Sequence, residues 1–241
     1  MAADAGDVQL LAASAATLEE MTARVTVCRA CPRLVDWRET VASERRAAFR
    51  GEPYWGRPIG GWGAFDARIA VVGLAPAAHG GNRTGRIFTG DRSGDWLFDA
   101  MYRAGLASQP TSTRADDGLR LLGTRVLAVV RCAPPANKPT PRERDTCRPW
   151  LVAELAALRP TLRVVVVLGG YAWAALWPAL RAAGYPVPLR RPAFGHGTRV
   201  EAGGILTVLG CYHPSQQNTF TGKLTEAMLD DVFAAAVVAA G

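Results

Sequence analysis

The chain has 241 residues, 49% hydrophobic and 20% charged, a balance that excludes a disordered chain and a length that can bury a core without disulfide staples. Twenty-eight basic against 21 acidic side chains give a formal charge of +7, which favours an acidic partner, nucleic acid being the usual one. Lys138 and Lys223 are the only lysines, so an arginine-rich codon bias discounts part of that signal.

The first 16 residues, MAADAGDVQLLAASAA, read as a loose Ala-rich tail. They carry acids where a secretory signal carries a basic stretch, so the protein is expected in the cytosol. No apolar run approaches the roughly 20 residues of a membrane span. Five cysteines in a cytosolic chain are expected to stay out of disulfides. Thr17-Leu18-Glu19-Glu20 reads as a capping box that opens a short helix towards Cys28. Residues 49–65, FRGEPYWGRPIGGWGAF, are too rich in Gly, Pro and aromatics for regular helix and read as an ordered surface loop.

Four short β-branched runs follow at 68–74, 125–130, 163–168 and 205–209. Each is apolar almost throughout, as strands buried on both faces are. Helical stretches near 94–105, 142–158, 171–183 and 222–240 separate or follow them. Alternation of this kind predicts crossover connections. The expected fold is α/β, a single three-layer α/β/α domain over 17–241 with a central four-stranded parallel sheet. Each strand run is followed at once by an unusual segment, and the C-terminal edge of an open parallel sheet is where ligands bind. Four loops distant in sequence are therefore expected to meet at one site.

Cys28 and Cys31 form a C-x2-C pair, and Cys132 and Cys147 lie far downstream. A zinc ribbon shows two close pairs. Proline stands beside or near each of these cysteines after the first, as in many iron–sulfur sequences. A four-thiolate [4Fe–4S] cluster, a zinc site and simple burial are all compatible with the spacing. Cys211, at a strand end, reads as a buried free thiol.

Asp91, just before a helix, suits either an N-cap or a carboxylate at the active edge. His213 follows the last strand in Tyr212-His213-Pro214-Ser215 and is the histidine best placed for chemistry; His79 and His196 are weaker candidates. Asn137, between prolines, is a turn-former or an amide for a base edge. Phe88 is core or a stacking ring. Gly80, Gly81 and Gly85 with Asn82 and Arg83 allow backbone N–H groups to approach phosphate. The pattern is neither a Walker loop nor GxGxxG.

The segments FRGEPYWGRPIGGWG, GLAPAAHGGNRTGRIFTGDRSG, RCAPPANKPTPRE and YHPSQQNTFTGKLT, in this order and with the four cysteines, resemble a family 5 (type b) uracil-DNA glycosylase. The resemblance runs from about Cys28 to the C-terminal helix. It implies a monofunctional enzyme that hydrolyses the N-glycosidic bond of uracil, and of bases such as hypoxanthine and ethenocytosine, in DNA. It implies a [4Fe–4S] cluster on Cys28, Cys31, Cys132 and Cys147. It carries over Asp91 as the catalytic carboxylate, Asn137 as an active-site amide, His213 as the contact to the leaving base and Phe88 as the stacking ring. Gly73, Leu74 and Ala75 are expected at the substrate. Leu74 and Ala75 stand where many superfamily members have an acid or amide, an absence type b enzymes share. The asparagine that related families place inside the second strand is matched here by Ala128. Asn82, Arg83, Arg86, Lys138, Ser215, Gln216, Asn218 and Lys223 are expected to touch DNA, and the protein is expected to act as a monomer. Two other readings compete: a non-catalytic iron–sulfur protein that binds lesions, and a metal-dependent nuclease or phosphatase, for which only Asp91 of the needed acids is found.

Overall fold

The computed structural model describes residues 1–241. Three helices open the chain: α1 (Ala5–Ala13), α2 (Leu18–Thr26) and α3 (Pro32–Glu44). The expected loose tail is thus largely helix. Asp4 caps α1 by accepting from Asp7 N–H at 2.8 Å, and Val8 and Ala12 are buried. Thr17 caps α2, its Oγ1 accepting from Glu20 N–H, while Glu20 reaches back one residue further than the box requires, to Ala16 N–H. Cys31 and Pro32 start α3, with proline at the first turn where its missing N–H costs nothing.

The remaining elements are β1 (Trp62–Gly63), β2 (Ile69–Gly73), α4 (Gly81–Thr84), α5 (Arg92–Arg103), β3 (Thr124–Ala128), α6 (Pro141–Leu158), β4 (Val164–Leu168), α7 (Gly170–Ala182), β5 (Arg199–Ala202), β6 (Leu206–Cys211), α8 (Gln216–Phe220) and α9 (Glu226–Ala240). The sheet has six strands in the order β1-β3-β2-β4-β6-β5. The expected four-stranded parallel sheet is therefore corrected to a mixed one. The four central strands pair in parallel, and β1 and β5 pair antiparallel on the two edges. The edges escape a search for buried strands for a physical reason. β1 is two residues long, and β5 is half exposed, with only Ala202 buried.

Alternate residues of the central strands serve two cores. Ala70, Val72, Leu127, Val165, Val167 and Val208 meet α1, α2, α6 and α7 on one face. Val71, Val126, Val166 and Leu209 meet α5 and α9 on the other. Fully enclosed side chains such as Phe98 and Phe233 each contribute about 1.5–3 kcal/mol through removal from water. The crossover from β2 to β3 runs through α5 on one face, and the next two crossovers run through α6 and α7 on the other. The chain therefore reverses direction beside β2, and the crevice outside its C-terminal end is where an open α/β sheet takes ligands.

The segment at 49–65 is less superficial than expected. Gly56 and residues 58–61 are buried. Gly61 and Gly63 carbonyls accept from Arg125, whose guanidinium also donates to Glu154 Oε1 at 2.8 Å. Arg131 donates to the other oxygen of Glu154. This enclosed Arg–Glu–Arg triad fastens the Gly-rich segment to β3 and α6, and removing one partner would strand a buried charge.

Candidate active site

The loops after β2, β3 and β6 meet at one open cavity of about 1700 Å³. Asp91, Phe88, Asn137 and His213 all line it, as do Leu74 and Ala75. Residues up to 139 positions apart in the chain, Leu74 and His213, are thus brought to the rim that the sheet's crossovers define.

Asp91 both caps a helix and lines the cavity. Its backbone is extended, it caps α5, and its Oδ1 accepts from Gly94 N–H at 3.0 Å. Its second oxygen, Oδ2, lies against Gly80 so closely that a methyl group there would fall 1.9 Å away. Burial pushes the carboxyl pKa up, the Gly94 N–H opposes this, and the nearby Asp95 charge adds to it. Gly80→Ala must therefore displace the carboxylate. We expect that variant to lose excision at least tenfold while keeping its thermal stability within about 1 kcal/mol, read by single-turnover rates beside thermal unfolding. An unchanged rate would show that the position of Oδ2 does not matter.

His213 follows β6 and is half-buried, its ring 5.8 Å from that of Phe88 and tilted by 37°. Asn218 Nδ2 donates to the His213 carbonyl at 2.9 Å and fixes the turn. Burial lowers the imidazole pKa to about 4, so the ring is neutral at physiological pH. Nδ1 is enclosed and has no hydrogen-bond partner. The tautomer protonated at Nε2 therefore leaves only a bare lone pair inside and keeps a donor for a ligand. Phe88 has a left-handed φ of 56°, a conformation with a cost for a bulky residue. Its ring covers Gly73, where a methyl would meet Phe88 Cζ at 2.6 Å. Gly73 thus serves the cavity by admitting the ring and does not line it. Asn137 also has a positive φ, 55°, next to Ala136 at 52°. Two consecutive left-handed residues hold its amide exposed at the cavity mouth. Ala128 is core and forms no part of the site.

The residues expected at DNA divide sharply. Ser215 and Gln216 line the cavity, and Gln216, Lys138 and Lys223 are exposed, Lys223 Nζ lying 4.9 Å from the Tyr212 ring centre. Asn218 is engaged on His213. Asn82 is enclosed, with Nδ2 donating to the Arg38 carbonyl. Arg83 lines the cavity, but its guanidinium is engaged by the His79 and Gly90 carbonyls and by Glu52. Arg86 is buried in a network with Thr89, Ser112 and Asp117. The expectation that Asn82 and Arg86 contact DNA is corrected: both hold loops together. Arg86→Ala should cost about 3–5 kcal/mol by leaving Asp117 uncompensated, with no change in the salt dependence of DNA binding. Lys223→Ala should do the reverse, reducing the slope of log affinity against log salt by about 1 with little change in melting temperature. Unfolding scans and a salt titration of binding separate the two, and a reduced slope for the arginine variant would contradict the assignment.

Several lining residues escape sequence reasoning. Thr113, Arg114, Ala115 and Asp116 reach the cavity from the α5–β3 connection. Asp117, which accepts from Thr113, Arg114 and Leu119 N–H groups, shapes that turn. Its T-x-x-x-D spacing is the sole sequence signal. Tyr54 and His79 are joined at 3.0 Å, a pairing that 24 intervening residues conceal. His196 is a structural histidine, accepting from Tyr212 N–H at Nδ1 and lying 3.2 Å from the Met228 carbonyl at Nε2.

The cysteines require a correction. Cys28, Cys31, Cys132 and Cys147 line one small apolar cavity of about 20 Å³ with Leu34, Val35 and Trp150. Yet no group of three or more Cys, His, Asp or Glu side chains is disposed to hold a metal ion. Cys132 Sγ accepts from Arg38 Nη1 at 3.0 Å and Cys147 Sγ from Arg131 N–H at 3.3 Å. Burial pushes the Cys31 thiol up to about 12 and Cys132 up to about 11, and raises Cys147 as well. The expected [4Fe–4S] cluster does not fit these side chains as they are arranged. Cys211 is a buried free thiol as expected, its Sγ donating to the Tyr212 carbonyl.

Residues 61–236 match the family model described as the uracil DNA glycosylase superfamily. A type-5 uracil-DNA glycosylase of Mycobacterium tuberculosis (strain CDC 1551 / Oshkosh) is 55% identical over 231 residues, covering 96% of this chain and 85% of that one. One from Thermus thermophilus is 49% identical over 225 residues, covering 92% and 98%. A type-4 uracil-DNA glycosylase of Thermotoga maritima is 30% identical over 156 residues, covering 64% and 63%. No helix here is long and apolar enough to cross a membrane.

Proposed function

The chain belongs to the type-5 branch of the uracil-DNA glycosylase superfamily, and from that premise we propose that it is a DNA-repair hydrolase that cleaves the N-glycosidic bond of uracil in DNA and leaves an abasic site. The observation that carries the reading is the meeting of Asp91, His213, Phe88 and Asn137 on one cavity. Hypoxanthine and ethenocytosine are further substrates of this proposal, because no strand-borne asparagine reads the uracil edge.

A base stacked in a duplex cannot reach such a cavity, so the nucleotide is extruded. Extrusion costs a few kcal/mol, and least at a mismatch. The exposed Gln216 and Gln217 on α8 enter the space it leaves, and a wedge of that kind offsets unstacking. Lys138 and Lys223 hold phosphates. Uracil then stacks on Phe88, with the Asn137 amide and the His213 imidazole at its edge.

As the C1′–N1 bond lengthens, positive charge builds on the sugar and negative charge on the base. Asp91 Oδ2 faces the sugar cation and orients the water whose oxygen bonds to C1′. The bonding electrons leave with the base, His213 Nε2–H donates to the carbonyl oxygen that gains charge, and the proton shed by the attacking water ends on the released base. A neutral imidazole suits this task. It supplies a donor without placing a second cation near the oxocarbenium. Preorganised donors aimed at developing charge contribute about 3 kcal/mol each.

Incubation with a uracil-containing duplex followed by alkali tests the reading. Strand scission at the uracil is expected. A stable complex on an intact strand would replace the enzyme with a lesion-binding protein.

A further inference from the structure

Tyr54 lies in the Gly-rich segment before β1, and His79 in the loop after β2. Their side chains meet edge to face, with rings 6.1 Å apart at 83° and Tyr54 Oη 3.0 Å from His79 Nδ1. The same hydroxyl accepts from the Arg46 backbone N–H at 3.4 Å. With that donor already supplied, the phenol proton can go to Nδ1, and in that arrangement Nδ1 is an acceptor and the imidazole proton sits on Nε2. The bond at Nδ1 is the imidazole's only one within the protein, and His79 lines the cavity, so Nε2–H is offered to a ligand.

The surroundings define what ligand fits. Burial lowers the imidazole pKa, and the Arg46 and Arg83 charges lower it further, so the ring is a neutral donor in a positive field. Such a site takes an anion that needs a hydrogen bond more than another charge. Arg83 points its own donors inward, to the His79 and Gly90 carbonyls and to Glu52. His79 precedes Gly80, against which the Asp91 carboxylate rests. The donor is thus carried by the neighbour of the residue that touches the group facing the sugar, and the anion bonded to a nucleotide's sugar is its phosphodiester.

We propose that His79, held in its Nε2–H tautomer by Tyr54, binds a non-bridging oxygen of a DNA phosphate beside the extruded nucleotide. The inference rests on the glycosylase reading and deepens it. His79 is a substrate-binding residue, and Tyr54 is a positioning residue that acts through it.

The test uses uracil duplexes in which one phosphate at a time, on either side of the uracil, is replaced by an uncharged methylphosphonate. Single-turnover excision and binding are measured for the wild type, His79→Ala and Tyr54→Phe. One methylphosphonate position is expected to slow the wild type about tenfold, the size of a lost hydrogen bond to a charged group. His79→Ala should slow excision of the all-phosphate duplex by a similar factor and lose nothing further at that one position. Tyr54→Phe, which keeps the ring and its packing, should show the same position-specific loss of sensitivity in weaker form. A structural role for either residue would slow every substrate equally. The proposal is overturned if the His79→Ala and methylphosphonate penalties multiply at every position, or if His79→Ala matches the wild type. Should the wild type leave uracil in place, the glycosylase reading falls, and the binding arm of the same series still decides whether His79 contacts phosphate.

Discussion

Asp91→Asn should lose at least a hundredfold in single-turnover excision of uracil while binding uracil DNA almost as tightly as the wild type. The factor corresponds to about 3 kcal/mol of electrostatic stabilisation withdrawn from the sugar cation. The substitution isolates the chemistry because asparagine caps helices as well as aspartate does, so the Gly94 N–H at 3.0 Å keeps its partner. Asp91→Ala would instead remove cap and charge together. The same variant should be no less stable than the wild type. Burial raises the Asp91 pKa in the folded state, so between the unfolded and folded values the native protein binds more protons than the unfolded chain. Stability from this group is therefore complete below the unfolded value and is lost as pH rises through the folded one. Asp91→Asn abolishes that slope, and melting temperatures across pH 3 to 7 would show it. A variant that excises at the wild-type rate would remove Asp91 from the reaction.

The second large effect is expected at His213. His213→Ala should slow excision about a hundredfold, since one donor to the departing base is worth about 3 kcal/mol. Binding to a product duplex with an abasic site should change little, because that duplex carries no base to meet the imidazole. The sign of the pH dependence follows from the folded pKa of about 4. The ring is already neutral at pH 7, and the His213 contribution to excision should persist until pH approaches 4. In the same window the unfolded chain binds more protons than the native one. This group therefore destabilises the fold progressively as pH falls from the usual histidine value towards 4. Pre-steady-state excision profiles of both proteins check the first point and acid melting curves the second. Equal losses in excision and in abasic-site binding would mean that His213 merely supports the loop through the Asn218 contact.

The parallel core was legible because its signal is strong: five-residue runs such as Val164–Leu168 are apolar throughout and sit between helical stretches. The site's location followed from it, since loops after such strands share one edge. The edge strands were not legible, because β1 and β5 are held by main-chain pairing to β3 and β6 and bury little side-chain surface. The helix Ala5–Ala13 was hidden for another reason. It is almost featureless in pattern, and its packing on α6 is a tertiary matter. Charge was the most misleading signal. Arg38, Arg83, Arg86, Arg125 and Arg131 are buried and hold loops, so formal charge overstates the basic surface offered to DNA. Composition does not distinguish a guanidinium in water from one between carbonyls. Asp91 shows the opposite case. Its cap role and its place on the cavity are both real, and the sequence context pointed to each.

The most direct measurement is the structure of Asp91→Asn bound to a uracil-containing duplex. The account predicts a uridine turned out of the helix, its base stacked on Phe88, its C1′ facing residue 91 and a base carbonyl within hydrogen-bond reach of His213 Nε2. A uridine still stacked in the duplex, or a base seated away from these side chains, would contradict it.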